Sequence, residues 1–411
     1  MPYQTLGKLF YSDASNERFT RNKELAEARL NAESTFRTGF MTDAGELFLA
    51  MPRDLSLAYE HVMEKERSIA LLQARLPPIA RGALVRSLVV EEVVSTNGLE
   101  GVHSTRRQIS DLLDMTPSSA QDIERKRFRE LAHLYLELSD ANHIIPRTPE
   151  DIRKVYDRIM EGEDLGDDAP DGRLFRRGGV EIIGSGGKVL HEGLEPEPAI
   201  IDAMTHMLEI ANSDAVPSLY GAILSHYLFE YAHPFYDGNG RIGRYLLALF
   251  LTKPLSVLSA LSLSRSIAES KTAYYRAFRD SETKLNHGEL TAFVISILDY
   301  LSKSQDRIIE GLTLGRTRLD AVNRAFDDAD AISELPRREK DVLNVLAQYR
   351  LFGAFPDVSA DVMGDCLGVG EQMARKHLRR LEDKSLVTVA SKRPLRFVLS
   401  PAAEAELGIA P

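Results

Sequence analysis

Apolar residues recur at intervals of three and four along most of the chain, the spacing that places them on one face of an α-helix. In the N-terminal part the pattern predicts a helix over residues 54–113, divided at Pro77 and Pro78, and then helices over 123–140 and 149–162. Farther along it predicts helices over 198–212, 217–231, 241–251, 267–279 and 288–312. The chain is therefore expected to fold as a mostly α-helical protein.

A pair of β-rich runs interrupts this helical pattern. Residues 180–183 and 188–190 are rich in Val, Ile and Leu, and the segment between them reads Gly-Ser-Gly-Gly. Two short apolar runs around a glycine-rich turn predict a β-hairpin. We expect it to be the only sheet in the first three hundred residues, and its turn is not a phosphate loop, because no helix follows it.

The C-terminal part of the chain shows a different order of elements. Helices are predicted over 338–348, 360–367 and 371–384, followed by two short strands over 386–389 and 396–399 that are joined by residues 391–394. A glycine-containing turn separates the second helix from the third. This order of helices followed by a hairpin is typical of a winged helix-turn-helix domain.

Composition narrows the class of protein. Of the 411 residues, 44% are hydrophobic and 27% are charged, as in globular proteins, and the net charge of −10 argues against nucleic-acid binding by the whole surface. The single Cys366 excludes a disulfide framework and a zinc ribbon. The longest apolar stretch, 245–263, contains Lys253 and Pro254, so no membrane span is expected. With no secretory signal at the N-terminus, we expect a cytoplasmic protein.

Residues 238–244 have the features of an anion-binding loop. Gly238, Asn239 and Gly240 tolerate a positive φ, so their backbone N–H groups can point into one concavity at the N-terminus of the helix that follows. Arg241 and Arg244 are three residues apart on that helix and share a face. The segment is therefore predicted to hold neighbouring phosphates.

Two further side chains suggest chemistry beside this loop. Asp237 could supply a carboxylate oxygen to a hard cation that bridges phosphates. His233 is the nearby side chain that can accept a proton near neutral pH. Each residue alone is more often structural, so the prediction rests on their combination.

The complete segment, His-Pro-Phe-Tyr-Asp-Gly-Asn-Gly-Arg-Ile-Gly-Arg, resembles the signature HxFx(D/E)GNGRxxR of the Fic family at every fixed position. The resemblance extends over about residues 84–301. It implies a helical Fic core that transfers AMP from ATP to a Tyr, Ser or Thr hydroxyl of a target protein, with Mg²⁺. The implied roles are a general base at His233, a Mg²⁺ ligand at Asp237, contacts to the α- and β-phosphates at Gly238, Asn239 and Gly240, β-phosphate stabilisation by Arg241, and a γ-phosphate contact at Arg244. Phe235 is interpreted as a core anchor.

The resemblance also assigns roles outside the loop. The predicted hairpin is similar to the flap on which family members dock a target segment by strand addition, here Val180, Ile182 and Ile183. Tyr274 and Tyr275 match paired tyrosines that lie near the adenine in relatives. Core packing is an equal interpretation of either tyrosine.

Thr96, Glu100 and Gly101 taken alone would be the last turn of a helix. In a Fic chain they are similar to the family's inhibitory motif, (S/T)xxxE(G/N). The resemblance implies that Glu100 pairs with Arg244 and obstructs the γ-phosphate site. In some relatives the same glutamate positions water to remove AMP, so that activity stays open.

The third C-terminal helix and the hairpin after it are basic within an acidic chain. Eight basic residues stand against three acidic ones between 371 and 396. Such a surface is typical of duplex DNA binding, although winged helices also dock proteins or dimerise. The DNA-contact candidates are Arg375, Lys376, Arg379, Arg380, Lys392 and Arg393.

The sequence thus predicts an N-terminal helical region carrying the inhibitory motif (1–110), a Fic catalytic core (111–312), a helical linker (313–335) and a winged-helix domain (336–405). The first functional interpretation is an autoinhibited, ATP-dependent protein adenylyltransferase that can also modify itself. The second is a DNA-binding regulator whose Fic core senses nucleotide. Assembly into a homo-oligomer is compatible with both.

Overall fold

The computed structural model describes residues 3–114, 128–140, 143–183, 189–328 and 330–409. Helices dominate these ranges, which confirms the mostly helical fold predicted from the periodicity. Up to residue 160 the helices are α1 (Leu6–Ser12), α2 (Arg18–Leu30), α3 (Arg53–Gln73), α4 (Pro78–Leu99), α5 (Arg106–Asp114), α6 (Arg129–Glu137) and α7 (Pro149–Ile159).

The remaining helices follow the flap region. They are α8 (Glu197–Asn212), α9 (Ser218–Ala232), α10 (Asn239–Leu251), α11 (Val257–Ala260), α12 (Leu263–Glu269), α13 (Lys271–Glu282), α14 (Thr291–Asp328), α15 (Asp330–Ser333), α16 (Arg337–Phe352), α17 (Ala360–Leu367), α18 (Glu371–Asp383) and α19 (Pro401–Glu406). The strands are β1 (Phe36–Thr42), β2 (Gly45–Leu49), β3 (Glu181–Ile183), β4 (Val189–Glu192), β5 (Val358–Ser359), β6 (Val387–Lys392) and β7 (Leu395–Leu399). None of the helices in the described ranges is long and apolar enough to cross a membrane.

The chain packs into two compact units. The first comprises Met1–Arg67, Glu92–Ser104 and Ala120–Asp306, and the second comprises Ser68–Glu91, Thr105–Ser119 and Arg307–Pro411. The C-terminal part of α4, which carries the predicted inhibitory motif, thus belongs to the first unit. The four-part division proposed from the sequence stays a prediction.

A buried layer of three helices forms the centre of the first unit. Helix α9 packs against both α8 and α10, and nearly every residue of α9 and α10 is buried. Helices that are apolar on all sides must be enclosed by other elements. The loop between α9 and α10 is therefore held between two well-packed helices.

The expectation of a single sheet before residue 300 was wrong, because β1 and β2 form an antiparallel hairpin near the N-terminus. The pairing shifts register between Arg37 and Met41, and Gly39 between them has φ +76°. This bulge interrupts the alternation of apolar and polar residues that marks a strand in a sequence.

The predicted flap hairpin is present. Strands β3 and β4 are antiparallel, with Ile182 opposite His191. The glycine-rich turn that we assigned to residues 184–187 lies outside the described residues. Two other helix predictions needed correction: Gly101, with φ +74°, ends α4 within the predicted 54–113 helix, and Ser270 divides the predicted 267–279 helix into α12 and α13.

The second unit contains the predicted C-terminal elements in the predicted order. Helices α16, α17 and α18 surround a core with a three-stranded antiparallel sheet of order β5–β7–β6. Strand β6 continues through Lys392, so the turn at its end is shorter than expected and consists of Arg393 and Pro394. Assignment of this unit as a winged helix remains a prediction.

One basic residue that we counted in the surface of the hairpin is internal. Arg396 is 4% exposed, and its Nη2 lies 2.7 Å from Asp111 Oδ1 and 2.8 Å from Asp114 Oδ2. Burial of a guanidinium requires such partners. Arg396 is therefore a structural residue of the second unit and does not contribute to a basic surface.

Candidate functional site

The loop between α9 and α10 has a fixed backbone. His233 adopts a left-handed conformation with φ 49° and ψ 62° at the end of α9, and its N–H donates to Phe229 O at 3.0 Å. Asn239 closes the loop, because its Oδ1 accepts from Phe235 N at 2.9 Å and its Nδ2 donates to Phe235 O at 2.7 Å. Gly238, with φ 87°, then allows the chain to enter α10.

Phe235 anchors the loop in the core, as interpreted from the sequence. It is fully buried, and its ring stacks on Tyr156 at a centroid distance of 3.9 Å. Phe175 contacts the same ring edge-on at 5.5 Å. Burial of an aromatic side chain between two others holds the loop backbone to a narrow range of positions.

His233 is partly buried, and its ring is uncharged at neutral pH. Burial lowers its pKa to about 4, and the nearby His191 ring contributes to this lowering. Its Nδ1 lies 3.4 Å from Glu230 O. At neutral pH a ring with this pKa is an imidazole that can accept a proton.

Arg176 binds the backbone at His233. This fully buried arginine donates from Nε to His233 O at 2.8 Å and from Nη2 to Ala232 O at 3.2 Å. It thereby satisfies carbonyl groups at the C-terminus of α9. Its partners lie 56 and 57 residues away in the chain, so no local sequence pattern indicates this contact.

The predicted anion-binding residues lie at the N-terminus of α10. Asn239 and Gly240 are its first residues, and their N–H groups have no intrahelical partner. A Cβ atom on Gly240 would overlap Glu100 Oε1, so the Glu100 carboxylate lies directly against this first turn. The glycine is required for that close approach.

Arg241 is held by two carboxylates. Its Nη1 lies 2.7 Å from Glu163 Oε1, and its Nη2 lies 3.2 Å from Asp237 Oδ2. The Arg241 side chain is 2% exposed, whereas the Asp237 side chain is 54% exposed and borders the cavity described below. Asp237 is therefore accessible to a ligand, and Glu163 is a partner that the sequence did not reveal.

The structure brings Arg244 and the predicted inhibitory residues together. Arg244 donates from Nε to Thr96 Oγ1 at 2.8 Å and from Nη2 to Glu100 Oε1 at 2.6 Å and Thr96 O at 3.2 Å. Burial opposes the charged form of Glu100, but the charge of Arg244 and its hydrogen bond lower the pKa of this carboxyl below its usual value. The pair is therefore ionised at neutral pH.

Gly101 ends α4 so that Glu100 can face the cradle. With Gly101 at φ 74°, Val102 N donates to Asn97 O at 2.9 Å and Gly101 N donates to Gly98 O at 3.2 Å. These two bonds form a Schellman motif. In addition, Lys271 Nζ donates to Leu99 O at 2.6 Å, a contact that had no signal in the sequence.

These side chains surround one cavity of about 740 Å³ in the first unit. It is lined by the loop at 236–240, by the end of α4, by flap strand β4 and by α13. A volume of this size accommodates a nucleotide-sized ligand. The predicted site residues on its wall are Glu100, Gly101, Ile182, His233, Asp237, Gly238, Asn239, Gly240, Arg244, Tyr274 and Tyr275.

The two tyrosines differ in their surroundings. Tyr274 is buried and its hydroxyl lies 2.8 Å from His226 Nε2, while His226 Nδ1 lies 3.1 Å from Gly243 O. Because a carbonyl can only accept, Nδ1 carries the proton and Nε2 accepts from Tyr274. Tyr275 is 37% exposed and forms part of the cavity wall. Tyr274 thus belongs largely to the core.

The flap reaches the cavity through β3 and β4. Ile182 is 40% exposed and borders the cavity, and Val180 O accepts from Gly193 N at 3.0 Å. The side chain of Ile183 lies outside the described residues. His191 on β4 was not predicted: its Nδ1 lies 3.0 Å from Glu282 Oε2 and its Nε2 lies 2.9 Å from Tyr231 O, which connects the flap to α13 and α9.

No group of three or more His, Cys, Asp or Glu side chains in the described part of the chain could hold a metal ion by itself. Asp237 is the exposed carboxylate of the loop, and Mg²⁺ often binds one or two carboxylates together with substrate phosphates and water. The residues present fit a cation that arrives with a polyphosphate.

In the second unit, the six DNA-contact candidates are all exposed. Two of them form ion pairs along α18: Arg375 lies 2.5 Å from Glu371 and Arg379 lies 2.6 Å from Glu382. The other four are Lys376, Arg380, Lys392 and Arg393. Both acidic partners were already counted against the basic residues, so these pairs leave the net charge as the sequence suggested.

The fold is similar to that of a solved structure. The model resembles the crystal structure of a Fic family protein from Desulfovibrio desulfuricans, with a TM-score of 0.53 and 18% identity over 85% of this chain and 97% of that chain. Fic-1 from C. elegans gives a TM-score of 0.47 with 16% identity over 75% and 81% of the two chains. A Fic-domain signaling protein from Bacteroides thetaiotaomicron gives 0.42 with 19% identity over 63% and 95%.

The first of these likenesses establishes a shared fold, in which a helical protein carries a loop between two central helices. Residues 146–251, which include this loop, match the model of the Fic/DOC family. Over these residues the chain therefore resembles the Fic/DOC family. Family members typically transfer nucleotide-derived groups to proteins.

Proposed function

We propose that the protein is an autoinhibited protein adenylyltransferase, which transfers AMP from ATP to a hydroxyl of a target protein. The observation that carries this proposal is the convergence of the neutral His233 ring, the N-terminus of α10 and Arg244 on one cavity. Phosphate binding and proton acceptance are the two requirements of nucleotidyl transfer to a hydroxyl.

In the proposed reaction, His233 accepts the proton of the target hydroxyl as the hydroxyl oxygen bonds to the α-phosphorus of ATP. The bond between that phosphorus and the oxygen bridging to the β-phosphate breaks, and pyrophosphate leaves. The N–H groups at the start of α10 would stabilise negative charge on the phosphate oxygens, because Asn239 and Gly240 line the cavity and the helix holds these groups in place before a ligand binds.

Arg241 and Asp237 would act on the β-phosphate side. The Arg241 guanidinium is kept in place by Glu163, so it can contribute charge with little loss of conformational entropy. Asp237 would hold Mg²⁺, which when bound neutralises phosphate charge. The flap edge would position the target segment by strand addition, with Ile182 exposed at the cavity.

Glu100 would act as the brake. Its carboxylate lies against Gly240 and is hydrogen-bonded to Arg244. A phosphate group bound to the N-terminus of α10 and to Arg244 would take the same position. A carboxylate there both repels the phosphate and withholds Arg244 from it. The Glu100 side chain is 30% exposed, so it can leave without opening the core.

The test uses initial rates of AMP transfer from labelled ATP, with melting temperatures, for the parent, Glu100→Gly, Arg244→Ala and the double variant. We expect Glu100→Gly to raise the rate about tenfold or more, because a hydrogen bond between charged groups contributes about 1.5–3 kcal/mol. Arg244→Ala should lose activity, and adding Glu100→Gly should not restore it.

Ser95→Gly is the matched control, since it introduces glycine into the same helix without touching Arg244. It should leave the rate unchanged. If Glu100→Gly is no faster than the parent, or acts mainly by lowering the melting temperature as Ser95→Gly would, autoinhibition is wrong. If no variant transfers AMP although all bind ATP, the adenylyltransferase assignment is wrong and a nucleotide-sensing role takes its place.

A second candidate function, duplex DNA binding, is supported by the second unit. Lys376 and Arg380 lie one turn apart on the exposed side of α18, and Lys392 and Arg393 lie at the β6–β7 turn. Two basic groups on a helix and two on a hairpin match the phosphate contacts of a helix-and-wing binder. The measurement that tests this is described with the third prediction below.

A further inference from the structure

Glu230 carries a partly buried carboxyl group that the proposed mechanism does not use. It lies on α9 three residues before His233, and its side chain borders the cavity. One of its oxygens, Oε1, is inaccessible to solvent and has no hydrogen-bond partner among the described residues. A buried carboxylate oxygen without a partner is costly, so its presence on a cavity wall requires a reason.

The position of Glu230 mirrors that of Glu100. A Cβ atom on Gly243 would overlap Glu230 Oε1, as a Cβ atom on Gly240 would overlap Glu100 Oε1. Two carboxyl groups therefore lie against α10 about one turn apart. Only Glu100 is hydrogen-bonded to Arg244; Glu230 lies in the electric field of the same guanidinium without a hydrogen bond to it.

The charges around Glu230 come from four elements. Arg244 on α10 and His191 on β4 favour its ionised form, and Glu100 at the end of α4 disfavours it. Tyr274 and Tyr275 on α13 lie within its electric field as well. On α9 itself, His233 Nδ1 faces the backbone carbonyl of Glu230 and not its carboxyl group. The Arg244 guanidinium thus interacts electrostatically with two carboxyl groups, those of Glu100 and Glu230, before any ligand is bound.

We propose that Glu230 takes up a proton when a polyphosphate enters the cavity, so that nucleotide binding is coupled to protonation of this side chain. The inference rests on the proposed function, because the polyphosphate is taken to be ATP. Phosphate oxygens that replace Glu100 at Arg244 neutralise the positive charge that otherwise favours the ionised form of Glu230. A protonated carboxyl then avoids repulsion from the phosphates, and it gains an O–H donor.

The sign of the pH dependence follows from burial. Burial raises the pKa of Glu230 to about 7, the charges of Arg244 and His191 lower it, and Glu100 raises it. Well below pH 7 the group is already neutral, and binding takes up no proton through it. Above pH 7 it is ionised until the phosphates raise its pKa further. ATP affinity should therefore fall as pH rises above 7, by at most about tenfold per pH unit for one proton.

Removal of Glu100 should enlarge the effect. Without Glu100, Arg244 has no hydrogen-bonded carboxylate, so its charge lowers the pKa of Glu230 in the free protein. ATP binding then returns Glu230 to the neutral form over a wider pH range. The Glu100→Gly variant is therefore the background in which proton uptake is measured most easily.

The experiment is calorimetric titration of Glu100→Gly with ATP at pH 7.5 in two buffers that differ in ionisation enthalpy, which gives the number of protons taken up per ATP. It is repeated with Glu100→Gly/Glu230→Gln and with Glu100→Gly/Glu24→Gln, the same chemical change on the exposed surface of α2. The titration of ATP itself is common to all three proteins and cancels in the comparison.

We expect Glu230→Gln to reduce proton uptake by a large part of one proton per ATP and to flatten the decline of affinity between pH 6.5 and 8.5. Glu24→Gln should change neither. Equal uptake with and without Glu230 would overturn the proposal. If Glu230→Gln does not fold, a pH-independent ATP affinity of Glu100→Gly would overturn it instead. Absence of any ATP binding to Glu100→Gly would be a different result, since it would remove the proposed function itself.

Discussion

Two buried arginines, one in each unit, show how differently a buried guanidinium can be neutralised. The side chain of Arg244 is 2% exposed and that of Arg396 is 5% exposed. Arg244 has one carboxylate partner, Glu100, and it borders a cavity of about 740 Å³. Arg396 has two hydrogen-bonded carboxylates, Asp111 and Asp114, and a third, Asp357, at 3.5 Å.

The partners of Arg396 are themselves shared. Asp357 accepts a bidentate pair from Arg107 at 2.8 Å, and Asp114 also contacts Arg86. Two of the three carboxylates, Asp357 and Asp114, thus have a second basic partner, and the pocket beside the network holds about 30 Å³. Such a network stabilises one conformation.

The comparison shows that burial and pairing alone do not mark a functional arginine. The distinction lies in whether the partner can be replaced. Glu100 ends a helix beside a cavity, so a ligand with the same charge can take its place. Arg396 is held by three carboxylates within the second unit, so displacement of one of them would leave the other two in place. Changes around Arg244 should therefore affect chemistry, and changes around Arg396 should affect stability.

The largest effect is expected at His233, the general base of the proposed mechanism, which lines the same cavity as Arg244. His233→Ala in the Glu100→Gly background should lower the rate of AMP transfer by about 10²–10⁴-fold, because it removes general-base catalysis. ATP affinity and melting temperature should change little, since the backbone carbonyl that Arg176 binds is retained. Transfer within a few-fold of Glu100→Gly alone would contradict the role of His233.

The second prediction addresses the closed network. Arg396→Met should destabilise the second unit by about 3 kcal/mol, the lower end for a broken buried pair, because Asp111 remains 36% exposed and can be solvated. Amide hydrogen exchange of residues 337–399 measures this locally. AMP transfer by Glu100→Gly should not change.

Arg350→Met provides the matched control for that prediction. Arg350 pairs with Glu404 at 2.6 Å in the same unit, but its side chain is 30% exposed. Loss of this ion pair should lower the free energy of unfolding by about 1 kcal/mol or less. If Arg396→Met and Arg350→Met have equal effects on hydrogen exchange, the network does not stabilise the unit as described.

The smallest effect is expected for the exposed basic residues of the second unit. Lys376→Gln/Arg380→Gln should weaken binding to a short DNA duplex about tenfold at 0.1 M salt. The slope of log affinity against log salt concentration should fall by the amount expected for about two lost phosphate contacts. Lys8→Gln/Lys23→Gln removes the same charge from the exposed surface of the first unit and should have no effect. Absence of duplex binding by the parent at low salt would favour protein docking by this unit.

Much of the helical fold was predictable from the sequence, because the three-and-four periodicity of apolar residues is a local signal. The positions at which helices end or give way to strands were less predictable. The apolar periodicity carried the predicted helix to residue 113 although Gly101 taken alone indicated a helix end, and the β1–β2 hairpin was missed because the bulge at Gly39 interrupts the alternation. The buried state of Arg396 had no local signal, since its partners on α5 are more than 280 residues away.

The sequence by itself determined the loop between α9 and α10, because its geometry depends on residues that are close together in the chain: Gly238 must accept a positive φ, and Asn239 bonds to Phe235 four residues earlier. Only the tertiary structure decided the charges around that loop. Glu100 is 144 residues from Arg244 in the chain, and Glu230 lies beside Arg244 because Gly243 lets the two helices approach closely. Electrostatic interactions depend on distance in space and on burial, and neither is written in the order of the residues.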